Sequence, residues 1–167
     1  SYGHGITTTP IQLAKGYAIL ANGGYEIKPT LIKEEFYNLQ KNRILNKDVS
    51  SQINKILRKV VTHGTASLSD VEGFDVGGKT GTAQIVENGV YTKKKINTFV
   101  SVFPSSDPKF VLVILLEDTK LSKNYVYKYR NKPGSFKGTP FNIAGWTSVE
   151  ITGKIIDKIG PILATKY

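Results

Sequence analysis

Apolar residues recur at helical spacing in two stretches of the first half of the chain. Ile11, Ala14, Tyr17, Ala18 and Ala21 share one face of a predicted helix. Its start is marked by Thr9 as N-cap, Pro10 in the first helical position and Gln12 completing a capping box. Asn22-Gly23-Gly24 ends it, because Gly tolerates the left-handed conformation of a helix terminus. Residues 25–45 read as an irregular connection with a short extended piece around Ile27–Ile32. A second helix is predicted over residues 47–62, with Val49, Ile53, Ile56, Leu57 and Val60 as its stripe and His63-Gly64 as its end.

After Asp75 the pattern changes to β. Lys79–Val86 carries small and β-branched residues, and Asn97–Phe103 and Phe110–Leu116 are two apolar runs. The six residues between those runs begin with Pro104 and include Pro108, a hairpin signal that limits extension of either strand. A third helix is predicted from Thr147, with Thr147 and Glu150 as a second capping box and Gly160-Pro161 as its interruption or end. Three successive strands without crossover helices imply antiparallel pairing, so the expected fold class is α+β, an antiparallel sheet covered by helices. Such a small sheet has exposed edges unless further strands lie elsewhere.

Composition narrows the function classes. The chain has 167 residues, 40% hydrophobic, which excludes a disordered tail. With no Cys and only His4 and His63, it has neither a disulfide framework nor a thiolate or His-rich metal centre. The net charge is +10, carried by 20 Lys and three Arg. Nucleic-acid readers lean on Arg, so this excess reads as a solubilising surface, suited also to an anionic membrane or acidic polymer. Phe110–Leu116, the longest uncharged apolar run, is too short to span a bilayer. Without any Met, the chain is expected to be a piece of a longer product.

Candidate chemistry is concentrated in Gly77-Gly78-Lys79-Thr80-Gly81-Thr82-Ala83. Gly73–Thr80 literally satisfies the phosphate-loop pattern G-x-x-x-x-G-K-[ST], and Glu117-Asp118 follows an apolar strand as a Walker-B pair does. A phosphate loop follows a buried strand and opens a helix. Here a polar segment precedes the motif and β-type residues follow it. The other reading is a Lys-Thr-Gly edge strand facing a peptide-like substrate. Lys79 supplies positive charge, the Thr80 and Thr82 hydroxyls hold a carboxylate, Gly81 admits the substrate backbone, and the Thr82 N–H points at a developing oxyanion. A solvated surface strand is the bland alternative.

Four separated features match one family in order. They are Gly3-His4-Gly5-Ile6 with Thr9–Ala14 through Ala21–Gly24, then Gly64-Thr65-Ala66, then Gly78–Ala83, then Phe99–Pro104 with Asp107-Pro108 and the following strand. In these the sequence resembles the transpeptidase domain of class B penicillin-binding proteins, and Ala144-Gly145-Trp146 resembles the division-specific branch. The resemblance implies the C-terminal part of a penicillin-binding-protein/serine β-lactamase-like fold. It implies a peptidoglycan D,D-transpeptidase that crosslinks stem peptides through a serine acyl-enzyme and is the target of β-lactams. No cofactor or metal is implied. The implied partners are peptidoglycan stem peptide or its lipid-linked precursor, β-lactams and divisome membrane proteins, at the periplasmic face of a bacterial inner membrane.

The pattern breaks at the nucleophile. No Ser-x-x-Lys stands at a helix start: Ser122 and Ser135 lie in a basic loop, and Ser50, Ser51 and Ser67 lack a Lys three residues on. At Ser51 the Asn of a Ser-x-Asn motif comes one place late. The family carries both motifs upstream of the segment resembling Thr9–Gly24. Residues 1–167 are therefore expected to be the C-terminal portion of the domain, inactive alone. A P-loop nucleotide-binding protein and a non-catalytic binding module remain the alternatives. Segment 121–137, basic and carrying Tyr125, Tyr127 and Tyr129, reads as an exposed loop or hairpin with its tyrosines packed on one face, or as an RNA-binding surface. Nucleic acid is not the expected partner. His4 is read as a polar loop residue, His63 as a helix-end residue and Trp146 as a packing anchor.

Overall fold

A computed structural model describes residues 6–32, 42–120, 122–128, 133–138 and 141–166. Helix α1 is Pro10–Ala21 and α2 is Lys47–Thr62. A 3-10 turn at Ser67–Ser69 leads to strands β1 (Gly77–Glu87), β2 (Val90–Phe103) and β3 (Phe110–Glu117). A two-stranded ribbon, β4 (Val126–Tyr127) with β5 (Phe136–Lys137), comes before a 3-10 turn at Ala144–Trp146 and helix α3 (Ser148–Ala164). The main sheet has the antiparallel order β1-β2-β3, as expected for an α+β fold.

The central strand organises the core because both of its faces are covered. Along β2, Phe99 and Phe103 pack with Val149 and Ile156 of α3 and with Val61, Ala66 and Val76. Val102, on the other parity, packs with Ala21 of α1 and Leu57 of α2. Period-two alternation thus feeds two cores, and the second half of β2 reads as an almost unbroken apolar run for that reason. Among the described residues, β1 lies at one edge of the sheet, with no strand paired on its outer side.

Local signals held where a few neighbouring residues decide the geometry. The Thr9 side chain accepts from the Gln12 N–H and the Gln12 side chain accepts from the Thr9 N–H, the full capping box. His63 is the C-cap of α2. Four expectations change. Residues 26–30 form no strand, the pairing here being limited to the isolated Tyr25–Arg43 bridge and the Glu26 N–H to Asn42 O bond, and Leu31 and Ile32 are exposed. The strand expected from Asn97 begins at Val90, since Asn88-Gly89 makes a two-residue turn with φ of 51° and 77°. This positive-φ pair suits the twist of a hairpin. The Thr147–Glu150 capping box does not form: the Thr147 hydroxyl donates back to Ile143 O at 3.0 Å, and Glu150 pairs with Lys154. Helix α3 also continues through Pro161 to Ala164. Proline forfeits one helical hydrogen bond, but stopping there would withdraw Leu163 from the core.

Arg58 ties these layers together. Its Nη1 donates to Asp70 Oδ1 at 2.8 Å and to Val76 O at 2.9 Å, and its Nε lies 2.9 Å from Asp75 Oδ1. Asp75 in turn accepts from the Ser105 hydroxyl and the Ser106 N–H in the β2–β3 turn. A lysine has one rotatable point charge and cannot make this planar three-way contact. Arg58→Lys is therefore expected to lower stability by about 1–2 kcal/mol, partial exposure of the pairs included. Urea unfolding of the intact protein would check it, and an unchanged midpoint would show the fork to be dispensable.

Candidate active site

The Lys-Thr-Gly segment lies in β1 on the open edge of the sheet. A strand over Gly77–Glu87 removes the phosphate-loop reading, which needs a helix opening at Lys79-Thr80. The preceding glycines are there for packing. A Cβ on Gly78 would stand 2.5 Å from the Phe99 ring and 2.5 Å from Val100 O, and one on Gly77 would meet Ser105 Cβ at 3.0 Å. Gly81 differs: a Cβ there would meet nothing nearer than Thr98, at 4.0 Å. The fold does not require glycine at that position, and the space over it is open.

The three motif side chains have separate surroundings. Lys79 is exposed and its Nζ donates to Thr80 O at 2.8 Å, which lays the ammonium along the strand. The Thr80 hydroxyl is 2.9 Å from the Thr65 hydroxyl at the exposed surface. Thr65 belongs to the Gly64-Thr65-Ala66 turn, so two of the family-like features meet at this contact. The Thr82 hydroxyl, expected to face a ligand carboxylate, is bonded within the fold. It donates to Asn97 Oδ1 at 3.1 Å and accepts from the Ala144 N–H at 3.0 Å. As edge-strand residues, β1 positions alternate between N–H groups paired with β2 and N–H groups facing outward.

Sequence reasoning missed Thr65, Asn97 and Asn142. The Asn97 Nδ2 donates to Asn142 Oδ1 at 2.6 Å, and the Asn142 Nδ2 donates to Thr119 O at 3.1 Å. The one available signal was a polar residue, Asn97, opening an apolar run. Two literal motif strings were also passed over, and neither has the required context. Ser106-Asp107-Pro108-Lys109 lies in the β2–β3 turn, with Lys109 Nζ 3.0 Å from Asp107 Oδ2. Ser122-Lys123-Asn124 forms a local turn in which the Ser122 hydroxyl accepts from the Asn124 N–H at 3.2 Å.

The aromatic segment is packed internally. Tyr127 stacks on Phe136 with ring centroids 5.8 Å apart and meets Trp146 edge-on at 5.1 Å. Burial raises the Tyr125 hydroxyl above its ordinary value, helped by its hydrogen bond to Glu150 and that residue's charge. These rings give their faces to one another, as in the packed reading, and Trp146 is a packing residue. Tyr129 and His4 lie outside the described residues. Among the described residues no acidic, His or Cys cluster could hold a metal ion, and no helix is long and apolar enough to cross a membrane.

Asp75 secures the base of the site. Burial alone would raise its carboxyl, but hydrogen bonds from the Ser106 side chain and N–H and from Ser105, with the Arg58 charge, outweigh it and hold the group below its ordinary value. A depressed folded-state value stabilises the fold above the unfolded-state pKa, and that stabilisation is lost as pH falls through the folded-state one. Asp75→Asn is therefore expected to be less stable than wild type at neutral pH, with the gap closing below about pH 4. Paired melting curves across pH would check this; a gap that persisted into acid would give Asp75 a role other than as an anion.

An antiparallel sheet backed by helices, with Lys-Thr-Gly on its edge strand, gives the chain an α+β architecture. Comparison with known proteins agrees. The profile of the penicillin binding protein transpeptidase domain matches residues 1–135, and the chain belongs to that family. It is 28% identical over 178 residues to a probable peptidoglycan D,D-transpeptidase FtsI of Caulobacter vibrioides, covering 99% of this chain and 28% of that protein. It is 33% identical over 132 residues to stage V sporulation protein D of Bacillus subtilis, covering 72% of this chain and 20% of that protein. The fold is that of the apo transpeptidase domain of Burkholderia pseudomallei penicillin-binding protein 3, with TM-score 0.74, 24% identity, and coverage of 96% of this chain and 44% of that one. The chain thus spans under a third of these two relatives and under half of the matched structure.

Proposed function

We propose that this chain is the substrate-binding portion of a division-type peptidoglycan D,D-transpeptidase whose serine nucleophile stands in the upstream part of the parent protein. The observation that carries the reading is the open edge of β1 at Gly81, flanked by the exposed Lys79 and the Thr65–Thr80 hydroxyl pair. A stem peptide laid along this edge meets unpaired strand backbone and a cation together.

In the proposed reaction the serine oxygen bonds to the carbonyl carbon of the penultimate D-Ala. The C–N bond to the terminal D-Ala breaks, and that residue leaves as a free amine carrying the serine proton. An amine of a neighbouring stem peptide then attacks the ester, forms the crosslinking amide and returns the proton to the serine. Lys79 stabilises negative charge near the reacting carbonyl, Thr80 holds the donor's terminal carboxylate, Gly81 lets the peptide approach, and the Thr82 N–H faces the oxyanion. β-Lactams acylate the same serine. The parent works at the periplasmic face of the inner membrane with cell-wall synthesis partners, and residues 1–167 alone are inactive.

Labelling with a fluorescent penicillin tests the reading. The parent protein is expected to give a stoichiometric acyl adduct by mass spectrometry, and residues 1–167 none. An adduct on the short chain would overturn the placement of the nucleophile, and no adduct on the folded parent would overturn the reading.

The glycines give a second test. Gly81→Ala is expected to leave thermal stability unchanged or slightly raised while slowing acylation about tenfold or more, because the new methyl meets no protein atom but stands in the substrate's path. Gly78→Ala is expected to cost about 2 kcal/mol or more through its clash with Phe99. Equal effects of the two on melting temperature would contradict the distinction.

A further inference from the structure

A groove of about 860 Å³ is lined by α2, the end of α1 and the turn joining β2 to β3, and no residue of the Lys-Thr-Gly triplet borders it. Helix α2 brings Lys47, Ser51, Lys55 and Lys59 to it, which recur every four residues and so form one ridge. The three lysines are exposed, and among the described residues none is in an ion pair. The two carboxylates of the groove are already matched, Asp75 by Arg58 and Asp107 by Lys109. The ridge therefore keeps its positive charge. Lys55 and Lys59 stand one turn apart and repel each other along the helix, a cost that a bound anion removes.

A second group in the groove narrows the ligand. The Asn54 Nδ2 donates to Ala21 O at 2.9 Å, and a carbonyl can only accept, so the orientation of this amide is fixed. The Oδ1 of the same amide is buried and has no hydrogen-bond partner. A buried acceptor left unpaired is costly, so a fitting ligand brings a donor as well as negative charge. Polyphosphate has no such donor, and a flat membrane surface does not enter a groove. A peptide main chain has an N–H at every residue but proline.

The spacing also suits a peptide. Along the helix axis Lys47 and Lys55 are roughly 12 Å apart, and Lys55 and Lys59 roughly 6 Å. An extended chain rises about 3.3 Å per residue, so about four residues cover the first interval and about two the second. Both counts are even, which puts three acidic side chains on one face of the peptide.

We propose that this groove binds an extended acidic peptide segment of a partner protein. Its carboxylates pair with Lys47, Lys55 and Lys59, and one of its main-chain N–H groups donates to Asn54 Oδ1. The site is separate from the β1 edge and does not rest on the transpeptidase reading.

The experiment is fluorescence anisotropy on the full-length parent. The probe is a labelled heptapeptide with Glu at its first, fifth and seventh positions and Ala or Ser elsewhere. Saturable binding that weakens as salt rises is expected. Replacing the three Glu by Gln is expected to weaken binding about tenfold or more, and Lys55→Glu or Lys59→Glu to do the same. Both variants should keep the wild-type melting temperature and rate of penicillin acylation, since these side chains are exposed and lie outside the motif strand. N-methylating the second to fourth residues of the peptide is expected to weaken binding about threefold to tenfold on wild type, and not on Asn54→Ala.

No saturable binding to the folded parent, or equal binding of the Gln peptide, overturns the proposal. So does a methylation penalty that persists in Asn54→Ala, or displacement of the peptide by tripolyphosphate below the peptide's own Kd, which would make this a phosphate site. If Asn54→Ala does not fold, a peptide with esters in place of the same amides decides: weaker binding supports the main-chain contact, and equal binding overturns it. A parent that binds the peptide but takes no penicillin would support this site while sinking the transpeptidase reading.

Discussion

The Arg58 fork is the contact on which the geometry of this fold rests. One guanidinium reaches three acceptors from the loop between α2 and β1: Asp70, Asp75 and Val76 O. Asp75 hands the constraint on to Ser105 and Ser106, so the start of β1 and the turn joining β2 to β3 are held by the same charge. The pairs are only partly buried, with side-chain exposures of 29%, 20% and 35% for Arg58, Asp70 and Asp75. Their worth lies in direction more than in raw attraction, because a planar fork with fixed N–H vectors specifies angle as well as distance.

Seen from this anchor, the motif strand is clamped at two places and free between them. Upstream, Gly78 is pressed against Phe99 and Val100 too closely for any side chain, and Gly77 lies tight against α2 and Ser105. Downstream, the Thr82 side chain is tied to Asn97 and Ala144. Lys79, Thr80 and Gly81 lie in the interval, on a short length of strand that cannot slide or twist independently of the core. Rigid supports on either side of exposed functional groups are what preorganised recognition requires, since a small displacement there costs much of the binding geometry.

The sequence revealed the parts of this arrangement decided by near neighbours. The Thr9–Gln12 box, helix α2 and the two apolar strand runs each depend on residues within a turn or a strand, and each formed, although of the expected α2 stripe Val49 and Ile56 are exposed while Leu57 is buried. The Asn88-Gly89 turn was equally local and legible, but the lysines after it, Lys93 to Lys95, hid the continuation of β2. Other outcomes belong to tertiary structure. Thr147 and Glu150 have the spacing of a capping box, yet Ile143 O and Lys154 take their bonds. Pro161 looks like a helix end until the packing of Leu163 is known. The site behaved likewise: Lys79, Thr80 and Gly81 were visible as a motif, whereas Asn97 and Asn142 meet across 45 residues and Thr65 meets Thr80 across 15.

That long-range amide pair also answers a problem the motif creates. Three of the first five residues of β1 are glycines, and a glycine-rich strand specifies its own register poorly, having few side chains to prefer one face. A slip of one residue would turn Thr80 and Thr82 to the opposite face of the sheet. An apolar residue at position 97, fully buried beside Phe99, would pack at least as well but would fit any register. Asn97 opposes a one-residue slip, because Thr82 satisfies its Oδ1 while Asn142 holds its Nδ2, whereas Gly81 or Ala83 in that place would offer no hydroxyl. A slipped strand would leave a buried acceptor unpaired, at a cost of about 1–3 kcal/mol. The buried amide at the start of the apolar half of β2 is thus a register device, placed beside an exposed, glycine-rich edge strand that needs one.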